Sequence, residues 1–522
     1  ATEVTLPPET DDPVPGGTLR YGLIADVDGL NPTTSAIAPS GRLMGFAVFD
    51  SLVAFDSENN WVPKLAESFT PNEDFTQWTM KLREGITFHD GTPLDADSIV
   101  VNFEAQRNDA LVGNAVKPYY LEDNPIEVID PLTVQYNLVF ANSQWPTSLA
   151  TAGQLGMVVS PTWLAATEED ESLNQQPVGA GPFKFESRSQ DSVTRLVRND
   201  DYYGGDVWLD ALEFFPITDG AQRTDQLLGD AIDALLSTDS PSTQILVDEE
   251  EAGGAVRNIL DDTGEEAFVM MNTTAAPFDD IRVRQALTFA TPRQAYNQRI
   301  AEDINRLADQ MFTPDSPFYN PDVVQEADDP DQAGPLVDAY CGEVPANCSD
   351  GKINIEYQHS GPSAQQTRIA DLLTEGWGQF FNITVVEVLQ DDLVLNAALG
   401  AYQVNTWRQF GNPNPYNDRL WMACETVDAI SLNWPRFCDE PRTELLNAGG
   451  ESTDDAVRVE NMKQVVQSVN EAYTYVFLNH TRWDNAFNER VRGICDATNL
   501  EGATIRCTDN GVHFLEQIWL NS

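Results

Sequence analysis

The stretch "LDALEFFPITDGAQRTDQLLGDAIDALL" constrains the fold most: a short alternating strand, a helix of period 3.6, then a second short strand. The arrangement recurs where "KINIEYQ" is followed by a helix over about Ser363 to Phe380 and then by "ITVVEVL". Units of this kind lay helices on a sheet, so the fold class is α/β. At 522 residues the chain exceeds what one hydrophobic core usually serves, and two or three domains are expected. Apolar residues make up 41% of it, with 11 Trp, 24 Phe and 14 Tyr, enough to fill such cores and to exclude a disordered chain.

Other segments sharpen this outline. "GGTLRYGLI" and "WTMKL" read as strands, and "GAGPFKFESRSQDSVTRLVRNDDYYG" as a hairpin turning at "RSQDS". "PFDDIRVRQALTFA" is a helix with Asp279 or Asp280 at its start. A long amphipathic helix from about Asp454 to Tyr473 precedes "YVFLNHTRW", which reads as one buried strand.

In "LREGITFHDGTPLDADSI", His89 and Asp90 stand side by side with Asp95 and Asp97 close behind, the composition of a metal or catalytic cluster. Local chemistry explains them better. His89 and Asp90 fall in a Gly-Pro turn, where Asp bonds its own backbone. Asp95 is placed as the N-cap of "ADSIVVNFEAQR", whose Ile99, Val100 and Phe103 form an apolar stripe, and acids in a first helical turn suit the helix dipole. The other histidines, His359, His480 and His513, are scattered singly, so no metal-ligand spacing appears.

Against 83 Asp and Glu stand 30 Lys and Arg, a formal net charge of −53. Such a surface repels nucleic acid and anionic lipid, and reads as adaptation to a salty or exterior setting. All six cysteines lie in the C-terminal third as close neighbours: Cys341 with Cys348, Cys424 with Cys438, Cys495 with Cys507. Fifteen connectivities are possible; nearest-neighbour pairing closes the shortest loops and is expected. Three disulfides imply an oxidising compartment. No apolar run approaches the roughly 20 residues of a membrane helix. Residues 1–15, Pro-rich and acidic, read as a flexible leader of the kind left when an export signal or lipid anchor is removed.

Four stretches then point to a family: "GGTLRYGL…GLNP" (Gly16 to Pro32), "WVPKLAESFTPNEDFTQWTMKLREGITFHDGTPLDADSIV" (Trp61 to Val100), "VGAGPFKF…RNDDYYGG" (Val178 to Gly205) and "PFDDIRVRQALTFA" (Pro277 to Ala290). In this order, and over nearly the whole chain from Gly16, they resemble the large extracytoplasmic solute-binding proteins of the peptide/nickel type that serve ABC importers. The resemblance implies a two-lobe periplasmic-binding-protein-like fold (type II, cluster C) with an additional inserted domain. Lobe I would comprise 16–49, 177–264 and 484–522; the inserted domain 50–176, packed on lobe I; and lobe II 265–483. It further implies a monomer, periplasmic or anchored as a cell-surface lipoprotein, that closes on a small-molecule or peptide ligand and presents it to the transmembrane subunits of an ABC permease. No cofactor, catalytic residue or metal site is implied.

In peptide-binding members of that family a segment of the second lobe reads roughly Trp-x-x-Asp-x-x-Asp-Pro, its first Asp holding the peptide's α-ammonium. The matching stretch is "TWRQFGNPNPYNDRLW", Thr406 to Trp421. Trp407, Asn412 and Asn414 keep its outline, but Gln409 or Phe410 falls where the carboxylate should be. Losing it removes a charge-assisted bond of roughly 1.5–3 kcal/mol. Either Asp26 or Asp28 in the first loop substitutes, or the ligand lacks a free amino terminus, or Arg408 holds an anionic ligand. Tyr416 and the neighbouring aromatics are candidates for pocket walls, Trp407 ahead of Trp421.

A secreted hydrolase is the competing class, but it needs two positioned carboxylates that nothing in the sequence singles out, and G-x-S-x-G, H-E-x-x-H and P-loop patterns are absent. Peptide leads among ligands, with a sugar, a carboxylate or chelated nickel as alternatives.

Overall fold

Thr18–Leu23 buries Leu19, Tyr21 and Leu23 and lies parallel to both Ala211–Pro216 and Ala234–Ser237, the two strands of the "LDALEFF…DALL" unit. The helix between them, Gly220–Leu228, is capped by Asp219, whose side chain accepts from the Gln222 N–H. These strands form the centre of a seven-stranded sheet in the order Val256–Asp261, Trp483–Asn488, Ala234–Ser237, Thr18–Leu23, Ala211–Pro216, Val193–Arg198, Phe183–Ser189. The last two are the expected hairpin. The computed structural model describes residues 12–27, 29–35, 37–150, 154–261 and 264–521; most of the leader, and Asp28, lie outside them.

The chain divides into two compact units: a discontinuous one, Thr2–Asp261 with Trp483–Ser522, and a continuous one, Asp262–Arg482. Besides the seven-stranded sheet, the discontinuous unit holds an antiparallel sheet in the order Ala66–Pro71, Gln77–Leu82, Thr133–Asn137, Ile126–Asp130, with its own core around Trp78, Met80 and Trp145. Lys64, 4% exposed, ties this region to the C-terminal segment: its Nζ lies 2.8 Å from both Asp50 Oδ1 and Glu516 Oε1. Tyr202 and Tyr203 donate their hydroxyls to Asp50 Oδ2 at 2.7 and 2.9 Å.

The His89 turn is structural. The His89 N–H donates to Gly179 O and its Nε2 lies 3.0 Å from Gly181 O. Asp90 accepts from both the N–H and the hydroxyl of Thr92. Asp95 and Ser98 form a reciprocal capping box at the start of Ala96–Asn108, whose Ile99 and Phe103 are buried.

In the continuous unit the sheet runs Cys348–Ser349, Lys352–Ser360, Val404–Gln409, Glu266–Met271, Tyr475–His480, with Phe381–Val388 parallel to Lys352–Ser360. The helix Ala364–Trp377 joins those two parallel strands. "YVFLNHTRW" is not one strand but two. Tyr475–His480 pairs in this sheet, and Trp483–Asn488 pairs in that of the discontinuous unit. Both are wholly buried, and Thr481 and Arg482 between them offer no Gly, Pro, Asn or Asp turn signal to mark the change of sheet. The chain makes the reverse change between Val256–Asp261 and Glu266–Met271. Disulfides join Cys341 to Cys348, Cys424 to Cys438 and Cys495 to Cys507, the nearest-neighbour pairing.

Candidate functional site

Val404–Gln409 runs antiparallel to Glu266–Met271, and strand alternation puts Trp407 and Gln409 on one face and Thr406 and Arg408 on the other. On the first face Trp407 Nε1 donates to Gln409 Oε1 at 3.0 Å, and Trp434 Nε1 donates to the same oxygen at 3.3 Å. The Trp434 ring lies 5.6 Å from Trp407 and 5.3 Å from Trp421. Three indoles thus gather around one amide, with Trp407, Gln409 and Trp421 partly exposed and Trp434 buried. Two indole donors fix the orientation of the amide: its oxygen faces them, and its NH₂ has no hydrogen bond among the described residues. These four side chains offer aromatic surface and a donor, not a carboxylate.

Trp434 is the residue that sequence reasoning missed. A signal for it exists: it lies in the loop between Cys424 and Cys438, and closing that disulfide folds it back toward the segment that follows Asn414. The Tyr402 hydroxyl, donating to Trp434 O at 2.8 Å, and Asn433, whose Nδ2 donates to Ala423 O and Phe437 O, hold the loop in place.

The remaining candidates are placed elsewhere. Arg408 turns to Glu265, its Nε 3.6 Å from Oε2. Phe410, with φ at 70°, swings into the core against Phe268 and Tyr475, and is 5% exposed. Asn412 Oδ1 accepts from the Asn414 N–H and Asn417 Nδ2. Asn414 caps the turn Pro415–Trp421 and accepts from Arg458 Nη2 at 2.8 Å. Tyr416 is buried under the same guanidinium, 4.6 Å from its ring centroid, with its hydroxyl on Arg458 O. These four residues hold the loop rather than line an open wall. In the discontinuous unit Asp26 is engaged: Arg188 Nη2 lies 3.0 Å from Oδ1, and the Asp191 N–H donates to Oδ2.

Beside Gln409 in the neighbouring strand, Glu266, paired in the sheet with both Gln409 and His480, is 1% exposed and places Oε1 3.1 Å from His480 Nδ1. Burial, with Asp418 and Glu265 near, pushes its carboxyl well above the usual range; burial and the Arg306 guanidinium push the His480 imidazole down to about 4. Burial thus disfavours the charged form of both partners. Among the described residues the one group of three or more His, Cys, Asp or Glu whose ligand atoms converge within 4.8 Å is Cys424, Cys438 and Glu440, and its two sulfurs are spent in a disulfide.

Comparison with known proteins agrees with this architecture. The chain is 23% identical over 505 residues to a dipeptide-binding protein of Escherichia coli K12, covering 91% of each. Its fold is similar to that of the ABC transporter-associated periplasmic binding protein DppA of Helicobacter pylori, solved with the peptide STSA (TM-score 0.84, 19% identity, 98% and 99% of the two chains). It is similar also to AgaA of A. tumefaciens R10, solved with agropinic acid (TM-score 0.83, 20% identity, 97% and 99%). The family model of the bacterial extracellular solute-binding proteins, family 5, matches residues 60–427, and the chain belongs to that family.

Proposed function

We propose that this chain is the substrate-binding component of an ABC importer, that it captures a peptide, and that it hands the peptide to the transmembrane subunits of a permease without chemistry of its own. The dipeptide-binding relative and the peptide-bound DppA support peptide as the ligand. We assign lobe I to 16–49, 177–264 and 484–522, the inserted domain to 50–176 and lobe II to 265–483. The protein works as a monomer outside the cytoplasm, exported or held by a lipid anchor; among the described residues no helix is long and apolar enough to cross a membrane. Of the residues singled out in the sequence, Trp407 and Gln409 contact ligand, with Trp421 and Trp434 completing the wall.

One observation carries the ligand chemistry: Gln409 Oε1 is bonded by two indoles, so its NH₂ is the polar group left to a ligand. An amide donor takes a carbonyl or carboxylate and repels an ammonium, so the face recognises a peptide's acceptor groups rather than its free amine. The same observation favours a second reading, a small carboxylate ligand, a class to which AgaA's agropinic acid belongs by name.

The test is a thermal-shift screen in high salt with free and N-acetylated di- to pentapeptides, small carboxylates, oligosaccharides and nickel with histidine. A ligand at a hundred times its Kd adds about 2.7 kcal/mol. Free and acetylated peptides should raise Tm alike. Carboxylates alone raising it would replace the peptide reading with the second; a sugar or the nickel chelate alone would overturn both.

A further inference from the structure

Asn405 precedes Trp407 by two residues on Val404–Gln409, so strand alternation sets Asn405, Trp407 and Gln409 on one face. Asn405 is 0% exposed, and among the described residues neither its Nδ2 nor its Oδ1 has a hydrogen-bond partner. Its neighbours in the sheet do not supply one. Met270, opposite it on Glu266–Met271, brings only a thioether. Gln358, opposite it on Lys352–Ser360, is already spent: Nε2 donates to Glu356 Oε1 and Ala401 O, and Oε1 accepts from Asn396 Nδ2.

An amide buried with both ends unmet is disfavoured against an apolar residue of the same shape. Its partner has to come from above the sheet, on the side that carries the aromatic wall. The same space is shut off from solvent, where a matched hydrogen bond counts most.

The two amides on this face also sort ligand classes. Gln409 presents an NH₂, which takes an acceptor; Asn405 presents an oxygen as well, which takes a donor. A carboxylate offers acceptors alone and would leave Asn405 Oδ1 unmet. A residue of an extended peptide offers its N–H and C=O on one side, the pair an Asn amide can bond at once. Asn405 and Gln409 stand four positions apart on the strand, about 13 Å at about 3.3 Å per residue. A ligand meeting both therefore needs three or four extended residues.

We propose that Asn405 is a specificity-determining residue of this face: it bonds the N–H and C=O of one residue in an extended tri- or tetrapeptide whose carbonyl reaches Gln409, and so selects peptide over carboxylate. The assignment rests on peptide being the ligand.

Equilibrium dialysis of the whole protein in high salt tests it, with a mixed-sequence library of N-acetylated tetrapeptides and mass spectrometry of what is retained. A matching library with N-methylated internal residues, and one of N-acetylated dipeptides, should each be retained at least about tenfold less. Asn405→Leu, close in volume, should keep or raise Tm while lowering tetrapeptide retention about tenfold, and in it the N-methylation penalty should shrink. An amide with a purely structural role would instead lose Tm and leave retention alone. Retention indifferent to N-methylation, or unchanged in Asn405→Leu, overturns the assignment and leaves peptide as the ligand. Absence of any retained peptide overturns both. If Asn405→Leu does not fold by circular dichroism, the N-methylated library on the wild type decides alone.

Discussion

Trp407 Nε1 donates to Gln409 Oε1 across 3.0 Å, two residues along one strand, and in doing so turns the Gln409 NH₂ outward. Substituting Gln409→Glu keeps an acceptor for both indoles and replaces the donor with a second carboxylate oxygen. The variant should gain about tenfold or more for free-amine peptides over their N-acetylated forms, the worth of one charge-assisted bond. Calorimetry with both peptide forms checks this; an unchanged ratio removes Gln409 from the ligand.

The Cys424–Cys438 disulfide closes the loop that brings Trp434 to the aromatic face. Replacing both cysteines by serine should cost about 3 kcal/mol, the chain-entropy value for a loop of this size, and should also weaken ligand binding. Removing Cys341 and Cys348, remote from that face, should lower Tm while leaving affinity as it was. Equal effects of the two pairs on affinity would show that the loop does not serve the ligand.

Lys64 is enclosed by Asp50 and Glu516 beneath the Phe514 ring, 3.9 Å from its centroid. Lys64→Met leaves two buried carboxylates without their cation and should destabilise by about 3–5 kcal/mol in urea unfolding. Adding Asp50→Asn and Glu516→Gln should recover part of the loss, because the penalty lies in the uncompensated charge. A triple variant no better than the single one would refute that account.

His513 is 2% exposed between Tyr21 and Phe487, and burial holds its imidazole down at about 4, against about 6.5 in an unfolded chain. A depressed value means the unfolded state takes the proton first. Its contribution is intact above about pH 6.5 and is lost as pH falls toward 4, at up to about 1.4 kcal/mol per pH unit. His513→Gln should be less stable at pH 7 but should show a flatter decline over that window, compared in urea titrations at half-unit pH steps.

Glu266 works in the opposite sense. Its raised carboxyl favours the protonated folded state, so its contribution is present below about pH 4.5 and is lost as pH rises toward its elevated folded value. Glu266→Gln, which stays uncharged and can still bond His480, should therefore be more stable than the wild type at pH 8 and nearly equal to it at pH 4. Equal stability at pH 8 would mean that the site is more polar than its burial implies.

The sequence alone carried the α/β class, because strand–helix–strand alternation is local and each stretch of about 30 residues carries its own periodicity. It determined the Asp95 cap and the neutral role of the His89 turn for the same reason, since both rest on backbone groups a few residues away. Close cysteine spacing likewise favoured the disulfide pairing found. The charge of −53 needs no fold at all to be read.

Which side of Thr406–Trp421 faces out depends instead on packing from distant parts of the chain. Alternation puts Trp407 and Gln409 together, but whether they are covered depends on Trp434, which the disulfide loop brings in from beyond the segment. Phe410 and Tyr416 have the composition of a pocket wall and are core residues, because Phe268, Tyr475 and Arg458 arrive from distant strands and a helix to cover them. The change of sheet within "YVFLNHTRW" was invisible for a related reason: both halves are buried, and no turn residue stands at Thr481–Arg482 to mark where one sheet ends and the other begins.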